Sequence, residues 1–494
     1  MTADAVKLWQ PSRERAAATQ LAAFAAEAGR LAGRDLTRYA DLWRWSVDES
    51  EAFWRLLWKF GGVIGDGPGG RGLVDAGKMP GAKFFPDAKL NFARNLLRRN
   101  DDSLAIVFRG EDKAKRRMTW RELNQAVGRL HHALKAAGVG VGDRVAAQLP
   151  NMPEAIVGML ATASLGAAWS SCSPDFGVQG VLDRFGQIEP TVLLAVDGYH
   201  YGGKTHDCLA RLREIRPQLP TVKKVVVVGY ANAKPDLAGI ADAVTYDAFV
   251  AGKPEGPIGF VDVPFHQPLY VLFSSGTTGV PKCIVHGVGG TLLQHIKELR
   301  LHCDVKAGDK AFYFTTCSWM MWNWLVSALA CEATVCLYDG SPFHPDGNVL
   351  WDFADAEGFT LFGTSAKYID ACAKAGIEPM RTHKLTTVRG ITSTGSPLVA
   401  ESFDYVYAKI KKDVHLASIS GGTDIVSCFV LGAPTEPVYR GEIQARGLGL
   451  AVDVFDENGK SATGAKGELV CTKPFPSMPV NFWNDPGDRK YRAA

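Results

Sequence analysis

The sequence predicts an α/β fold: two βαβ-type subdomains that follow a helical N-terminal region and precede a small β subdomain. Three observations carry this. From about residue 103, short β-branched runs alternate with helix-period segments. A second such series starts after a Ser/Thr/Gly-rich loop at 274–279. After about residue 430 helix signals fade into short strands with Gly and Asn-Gly turns. At 494 residues the chain exceeds what one compact core holds, so it should divide into domains.

Residues 1–100 are helix-prone and aromatic. Trp43, Trp45, Phe53, Trp54 and Trp58 recur at mixed helical spacings and read as packing residues. The segment from Ala16 to Ala28 follows Arg13 and Arg15 as a targeting leader would. Glu14 and Glu27 interrupt it, which favours an amphipathic helix. Gly61 to Gly72 holds too many glycines for a regular element and marks a loop; Leu90 to Leu97 returns to helix.

In the first series Leu104–Phe108 is a strand. Thr119 and Glu122 then fit a capping box, opening a helix that runs to about Ala137 and stops at Gly138. Strands at Arg144–Leu149, Thr191–Val196 and Val222–Val228 alternate with a helix at Pro153–Leu165. The almost purely β-branched last strand suits a parallel sheet covered on both faces. The second series has a helix near Thr291–Arg300, a strand at Lys310–Phe314, a helix at Trp322–Ala330 and a strand at Ala333–Leu337. Further elements continue to Val414–Ser418. Leu450–Phe455 and Glu468–Thr472, around Asn458-Gly459, form the small β subdomain. Tyr491 to Ala494 shows no closing element, and the chain is read there as cut off.

Bulk properties exclude several function classes. A net charge of +3 is too balanced for nucleic acid or an anionic membrane as the main partner. The longest apolar run, Ala155 to Trp169, falls short of the ~20 residues of a membrane span. The ten cysteines are scattered, with no Cys-x-x-Cys and no zinc spacing, so they read as core residues of a reduced cytoplasmic protein. Oligomeric state has no signal in the sequence.

The chemistry centres on Tyr270–His286. An apolar strand (Tyr270, Val271, Leu272, Phe273) empties into Ser274, Ser275, Gly276, Thr277, Thr278 and Gly279, then Pro281 and Lys282. Small side chains let backbone N–H groups approach an anion, the hydroxyls add donors, and Lys282 adds a point charge. That combination suits a polyphosphate. It is not a kinase-type P-loop, since Val280 and Pro281 separate Gly279 from Lys282 and Cys283 follows. Three further clusters stand out. Ser420-Gly421-Gly422-Thr423-Asp424 puts a carboxylate on a tight turn at a strand's end, where Asp424 suits Mg²⁺. Gly395-Ser396-Pro397 reads as a turn before a helix, with Pro near the first helical position. Trp319-Met320-Met321-Trp322-Asn323-Trp324 is a bulky wall in which the methionines adapt and Asn323 offers a polar contact.

The order of residues in 274–282 resembles the phosphate loop of the acyl-adenylate-forming enzymes. Asp41–Val47, Met79–Pro86, Trp169–Gly177 and Trp319–Asn323 narrow the resemblance to an acetoacetate–CoA ligase branch close to acetyl-CoA synthetase. The resemblance implies an N-terminal extension over 1–100 and an AMP-binding domain over 101–494. It also implies ATP, acetoacetate and CoA as small-molecule substrates, with Mg²⁺. The reaction implied is an acid–thiol ligation through an acyl-adenylate. Lys282, Thr423 and Asp424 become catalytic residues, with Asp424 on the metal in place of the family's Glu. Ser274–Gly279, Lys282, Gly395, Ser396, Pro397, Gly422 and Thr423 bind ATP. Trp319, Met320, Met321, Asn323 and Gly421 line the acyl pocket, which is longer because acetate-activating relatives carry tryptophans where Ser420 and Gly421 stand. Arg184 sits where relatives hold the 3′-phosphate of CoA; an exposed surface arginine is the alternative. The family's ribose-binding Asp, hinge and C-terminal lid domain with its lysine do not follow Phe482–Asp485 here. The chain is therefore expected to bind ATP and the acid without turning over. A ligase for acetate, propionate or butyrate, or a non-catalytic ATP-binding fragment, are the alternatives.

Overall fold

The computed structural model describes residues 6–274 and 279–493. Two large twisted sheets dominate. The first has eight strands in the order Ala243–Thr245, Lys224–Val228, Val192–Val196, Arg144–Gln148, Ala168–Cys172, Pro268–Phe273, Cys283–Gly287 and Asn481–Phe482. It is parallel as far as Pro268–Phe273, and its last two pairings are antiparallel. The second has seven strands in the order His415–Ser418, Gly390–Thr394, Leu361–Ser365, Lys310–Tyr313, Thr334–Asp339, Leu104–Gly110 and Ala114–Thr119. Only its last pair is antiparallel.

This bears out the α/β reading with one rearrangement. Leu104–Gly110 opens the first βα series in the chain, yet it pairs with Thr334–Asp339 of the second sheet. Burial pattern reports that a strand is covered, not which neighbour covers it. The helix after it, Trp120–Ala136, starts with both reciprocal bonds of the Thr119–Glu122 capping box. In the β subdomain Val452–Phe455 pairs antiparallel with Glu468–Cys471. The end of the chain differs from expectation: Arg489–Ala493 is helical, and Asn481–Phe482 extends the first sheet.

The N-terminal helices do not stand apart. Gln20–Ala32 buries Leu21, Phe24, Ala25 and Ala28 along one stripe, as an amphipathic helix should. Ser50–Phe60 buries Phe53, Trp54, Leu57 and Trp58, and all share one apolar core with the helices after residue 288. Eight of the ten free cysteines are buried, and burial raises their thiol pKa values, which suits packing rather than reactivity. No helix among the described residues is long and apolar enough to cross a membrane.

The segments that build the site follow one another closely. Strands Pro268–Phe273 (β1) and Cys283–Gly287 (β2) form a hairpin, Phe273 facing Cys283. The helix Val288–Ile296 (α1) leaves β2 directly and continues as a π-helical turn, Lys297–His302. Helix Met320–Val326 (α2) follows strand Lys310–Tyr313. Strands Ser420–Gly422 (β3) and Ser427–Leu431 (β4) flank the turn that carries Asp424.

Candidate active site

The Ser/Thr/Gly segment lies between the paired strands β1 and β2 in the chain. Its root is closed by Ser274, whose N–H donates to the Lys282 carbonyl at 3.1 Å. Ser274 Oγ is buried without a partner among the described residues. Ser275, Gly276, Thr277 and Thr278 lie outside the described residues. Lys282 is exposed, its Nζ 5.7 Å from the centre of the Phe482 ring, and it has no carboxylate partner among the described residues. Arg184, on helix Val178–Ile188, lies against the same root. Its guanidinium is 4.4 Å from the Phe176 ring and 5.6 Å from that of Phe273, and Nη1 donates to the Gly180 carbonyl. It is half-buried between two rings rather than fully exposed.

The turns read from sequence gather at the carboxyl ends of neighbouring strands. Gly390–Thr394 and His415–Ser418 run parallel, Ser393 opposite Ser418. Gly395–Pro397 therefore leaves one strand beside the start of β3. Ile419 N donates to Ser393 O, and Thr394 Oγ1 to Ile419 O, both at 2.9 Å. Gly395 has φ +86°, a left-handed value that glycine adopts without strain, and its backbone is exposed. Pro397 stands three residues ahead of the helix Ala400–Tyr405, so it belongs to the turn and not to the first helical position.

The Asp424 turn is tied to the hairpin through a residue the sequence reading passed over. His286, the fourth residue after Lys282 and on β2, donates from Nε2 to the Thr423 carbonyl at 2.7 Å. At strand rise that places the Thr423 contact roughly 13 Å along β2 from Lys282. His286 is fully buried, and burial pushes its pKa down to about 4, so the neutral donor is what holds the turn. Asp424 is exposed and accepts no hydrogen bond from the described residues. An exposed carboxylate of this kind is a ligand Mg²⁺ takes, one or two at a time, together with phosphate oxygens. A different cluster, Glu111, Asp112 and His344, also brings ligand atoms within 4.8 Å of one another. There Glu111 already accepts from the N–H groups of Gly202, Gly203 and Ser341, so it serves as a loop clamp.

The bulky wall divides in two. Met320 and Met321 are 8% and 7% exposed, and Asn323, Trp322 and Trp324 are buried. Trp319 is 62% exposed and stands outside this wall, at the start of α2. Asn323 is fully buried, and its amide makes no hydrogen bond of good geometry with the described residues; the Tyr270 hydroxyl is its polar neighbour. Such an amide is costly unless something completes it. The two sheets meet beside this wall: Ser171 Oγ donates to Cys317 O at 2.8 Å, and Ser173 N to Ser318 Oγ at 2.6 Å. These bonds join segments that follow the carboxyl ends of strands in the two sheets, the ends where ligands usually bind in α/β folds.

Gly421 lies differently from expectation. A Cβ there would sit 2.0 Å from Ser427 O and 2.5 Å from Cys428 Cα, both backbone atoms of the paired strand. Glycine here allows β3 and β4 to close, and the position does not simply leave an empty slot in the pocket. Gly421→Ala should lower stability by about 1–3 kcal/mol, read as a lower melting temperature; an unchanged melt would refute the close pairing.

Comparisons agree with this geometry. Residues 92–478 match the model of the AMP-binding enzyme family. The chain is 59% identical over 490 residues to an acetoacetyl-coenzyme A synthetase of Rhizobium meliloti, covering 99% of this chain and 75% of that protein. It is 39% identical over 492 residues to a malonamoyl-CoA synthetase of Penicillium aethiopicum, covering 94% and 68%. The solved acetoacetyl-CoA synthetase from Streptomyces lividans superposes with a TM-score of 0.93 at 43% identity, over 99% of this chain and 76% of that one. The chain belongs to the AMP-binding enzyme family, within its acetoacetyl-CoA synthetase branch.

Proposed function

We infer that this chain serves an acid–thiol ligase that converts ATP, acetoacetate and CoA into acetoacetyl-CoA, AMP and diphosphate. In the first step a carboxylate oxygen of the acid attacks the α-phosphorus of ATP, and diphosphate leaves. In the second the CoA sulfur attacks the acyl carbonyl carbon, AMP leaves, and the thiol proton passes to solvent. A carboxylate attacking a polyanion needs charge neutralised and reactants aligned. Lys282 supplies the cation just ahead of β2, with donors from Ser274–Gly279. The backbone of Gly395–Pro397 and Gly422–Thr423 borders the nucleotide. Asp424 would hold Mg²⁺, which when bound offsets phosphate charge. Met320, Met321 and Asn323 face the acid, and Arg184, beside Phe273, suits an anionic group of CoA. Residues 1–100 form an extension packed on an AMP-binding domain. Free, buried thiols suit a reducing cytoplasm.

One observation carries the choice of acid: the buried amide of Asn323, without a hydrogen bond of good geometry, in an otherwise apolar wall. Its N–H groups suit a 3-oxo oxygen. The malonamoyl relative points to a second reading, an acid with another polar group at that position. Acid-dependent pyrophosphate exchange by the purified protein tests both. Acetoacetate should exceed butyrate about tenfold or more in kcat/KM; equal values for the two would sink the polar-pocket argument. Malonamate exceeding acetoacetate would select the second reading. Asn323→Leu should raise stability by ~1–3 kcal/mol while erasing that discrimination, because a poorly paired buried amide gives way to a side chain of similar size.

A further inference from the structure

Among fully buried residues, one polar group touches more parts of this site than any role assigned above requires. Glu298 lies in the π-helical turn that continues α1, and nothing of its side chain reaches solvent. Its Oε2 accepts from Trp324 Nε1, on the acyl-wall helix α2, at 2.8 Å. Its Oε1 accepts from the Ser427 hydroxyl, from Cys428 N at 3.1 Å and from Gln294 Nε2 at 3.4 Å. Ser427 and Cys428 open β4, directly after the Asp424 turn. The same helix adds two bonds to that segment: Gln294 Nε2 to Ser427 Oγ at 2.6 Å and His295 Nε2 to Val426 O at 2.8 Å. Lys297, also buried, has its Nζ 3.6 Å from Glu298 Oε1.

A buried carboxylate with this many donors is poor evidence for stability. Apolar residues of similar volume often hold a core as well or better. Its use is geometric: four acceptor positions fix the distance and orientation of the groups that donate to them. Here those groups belong to two sides of one reaction, the wall facing the acid and the turn facing the metal and phosphates. A helix that leaves the hairpin directly carries the carboxylate between them, at a π-turn, where a helix's register is locally altered.

We propose that Glu298 is a positioning residue that sets the acyl wall (through Trp324) against the Asp424 turn (through Ser427 and Cys428), so that acid and nucleotide are aligned together. This rests on the adenylate-forming reading of the site. Glu298 touches no substrate and acts only through those partners.

The test compares Glu298→Gln, Trp324→Phe and their combination with Leu299→Ala, a fully buried apolar neighbour. Glu298→Gln should lower kcat/KM for the acid about tenfold or more, measured well below its melting temperature. Trp324→Phe keeps the ring but loses the N–H, and should produce part of the same loss. The double variant should fall short of the product of the two, because both remove one link. The KM for CoA should change less than about twofold. Leu299→Ala should lower the melting temperature without this pattern. If Leu299→Ala gives the same kinetic pattern, or the two losses multiply independently, Glu298 is only structural and the proposal falls. Should Glu298→Gln not fold, Trp324→Phe and Ser427→Ala carry the same comparison. Lys282→Ala and Asp424→Asn run beside them: full adenylate formation in both would overturn the underlying reading, whatever Glu298 does.

Discussion

Alanine in place of Lys282 is expected to slow acid-dependent pyrophosphate exchange about a hundredfold and to weaken ATP·Mg²⁺ binding about tenfold, while leaving the melting temperature within the range of ordinary surface changes. The separation of the two effects follows from where the side chain lies. Lys282 is exposed at the end of a hairpin, contacts the Phe482 ring and makes no ion pair among the described residues. Removing it opens no cavity and strands no buried partner. What it removes is a positive charge at the root of a loop rich in small donors. Charge that develops on transferring phosphoryl oxygens is worth more to stabilise than charge already solvated in the ground state, so rate should fall further than affinity. Lys282→Arg should recover only part of the loss, since a planar fork does not replace a compact ammonium on a short loop. Calorimetric titration with ATP·Mg²⁺, exchange rates and a thermal melt on the same preparations check the three parts. Unaltered ATP affinity in Lys282→Ala would remove the lysine from the phosphate site.

The residues with distinctive local chemistry were legible in the sequence, and those that act by support were not. The hairpin loop, the Gly-Gly-Thr-Asp turn and the Met-Met-Trp-Asn wall announce themselves by composition, and the described parts of each follow the carboxyl end of a strand in one of the two large sheets. His286, Gln294, His295 and Glu298 carry no such signal. On a linear reading they are polar residues in or beside a helix, ordinarily a solvated face. The helix is in fact buried all round, with Val288 to Ile296 all inside. A clue was available: a polar run among Leu292, Leu293, Ile296 and Leu299 leaves no clean solvent stripe, so those groups must find partners within the protein. Which partners they find depends on β3 and β4, more than a hundred residues downstream. Trp319 shows the opposite failure: a residue type that composition assigns to the interior stands exposed, at the point where chain direction turns into α2.

Acid should unfold this protein early, between pH 6.5 and about 4, because several histidines are buried in the neutral form. Burial pushes His131, His286, His295 and His415 down to about 4 and His302 to about 3, from an ordinary value of 6.5. Desolvation by burial is the largest cause in each case. His295 Nε2 faces the Val426 carbonyl, an acceptor only, so that nitrogen carries a proton; Nδ1 lies 2.7 Å from Ser327 Oγ, whose hydroxyl donates to the Asn323 carbonyl. For a group whose pKa is depressed by folding, the unfolded chain binds protons that the folded one refuses as pH falls below 6.5. Stability is therefore complete above that pH and is lost until the folded-state value is reached. Asp339 works against this. Burial raises its carboxyl to about 7, so the folded state takes up a proton below that pH and offsets about one histidine. The net is near four protons, or ~5 kcal/mol per pH unit, enough to exhaust an ordinary folding stability of about 5–15 kcal/mol within a few pH units. Urea unfolding at pH 7.5, 6.5, 5.5 and 5.0 should show little change across the first step and a steep fall after it. His415→Gln, at a site away from the Asp424 turn where the imidazole bonds Gln444 at 2.7 Å, should flatten that slope by about one proton. A protein equally stable at pH 7.5 and 5.0 would mean that these imidazoles take up protons in place, and that the bonds of His286 and His295 do not hold the turn behind Asp424.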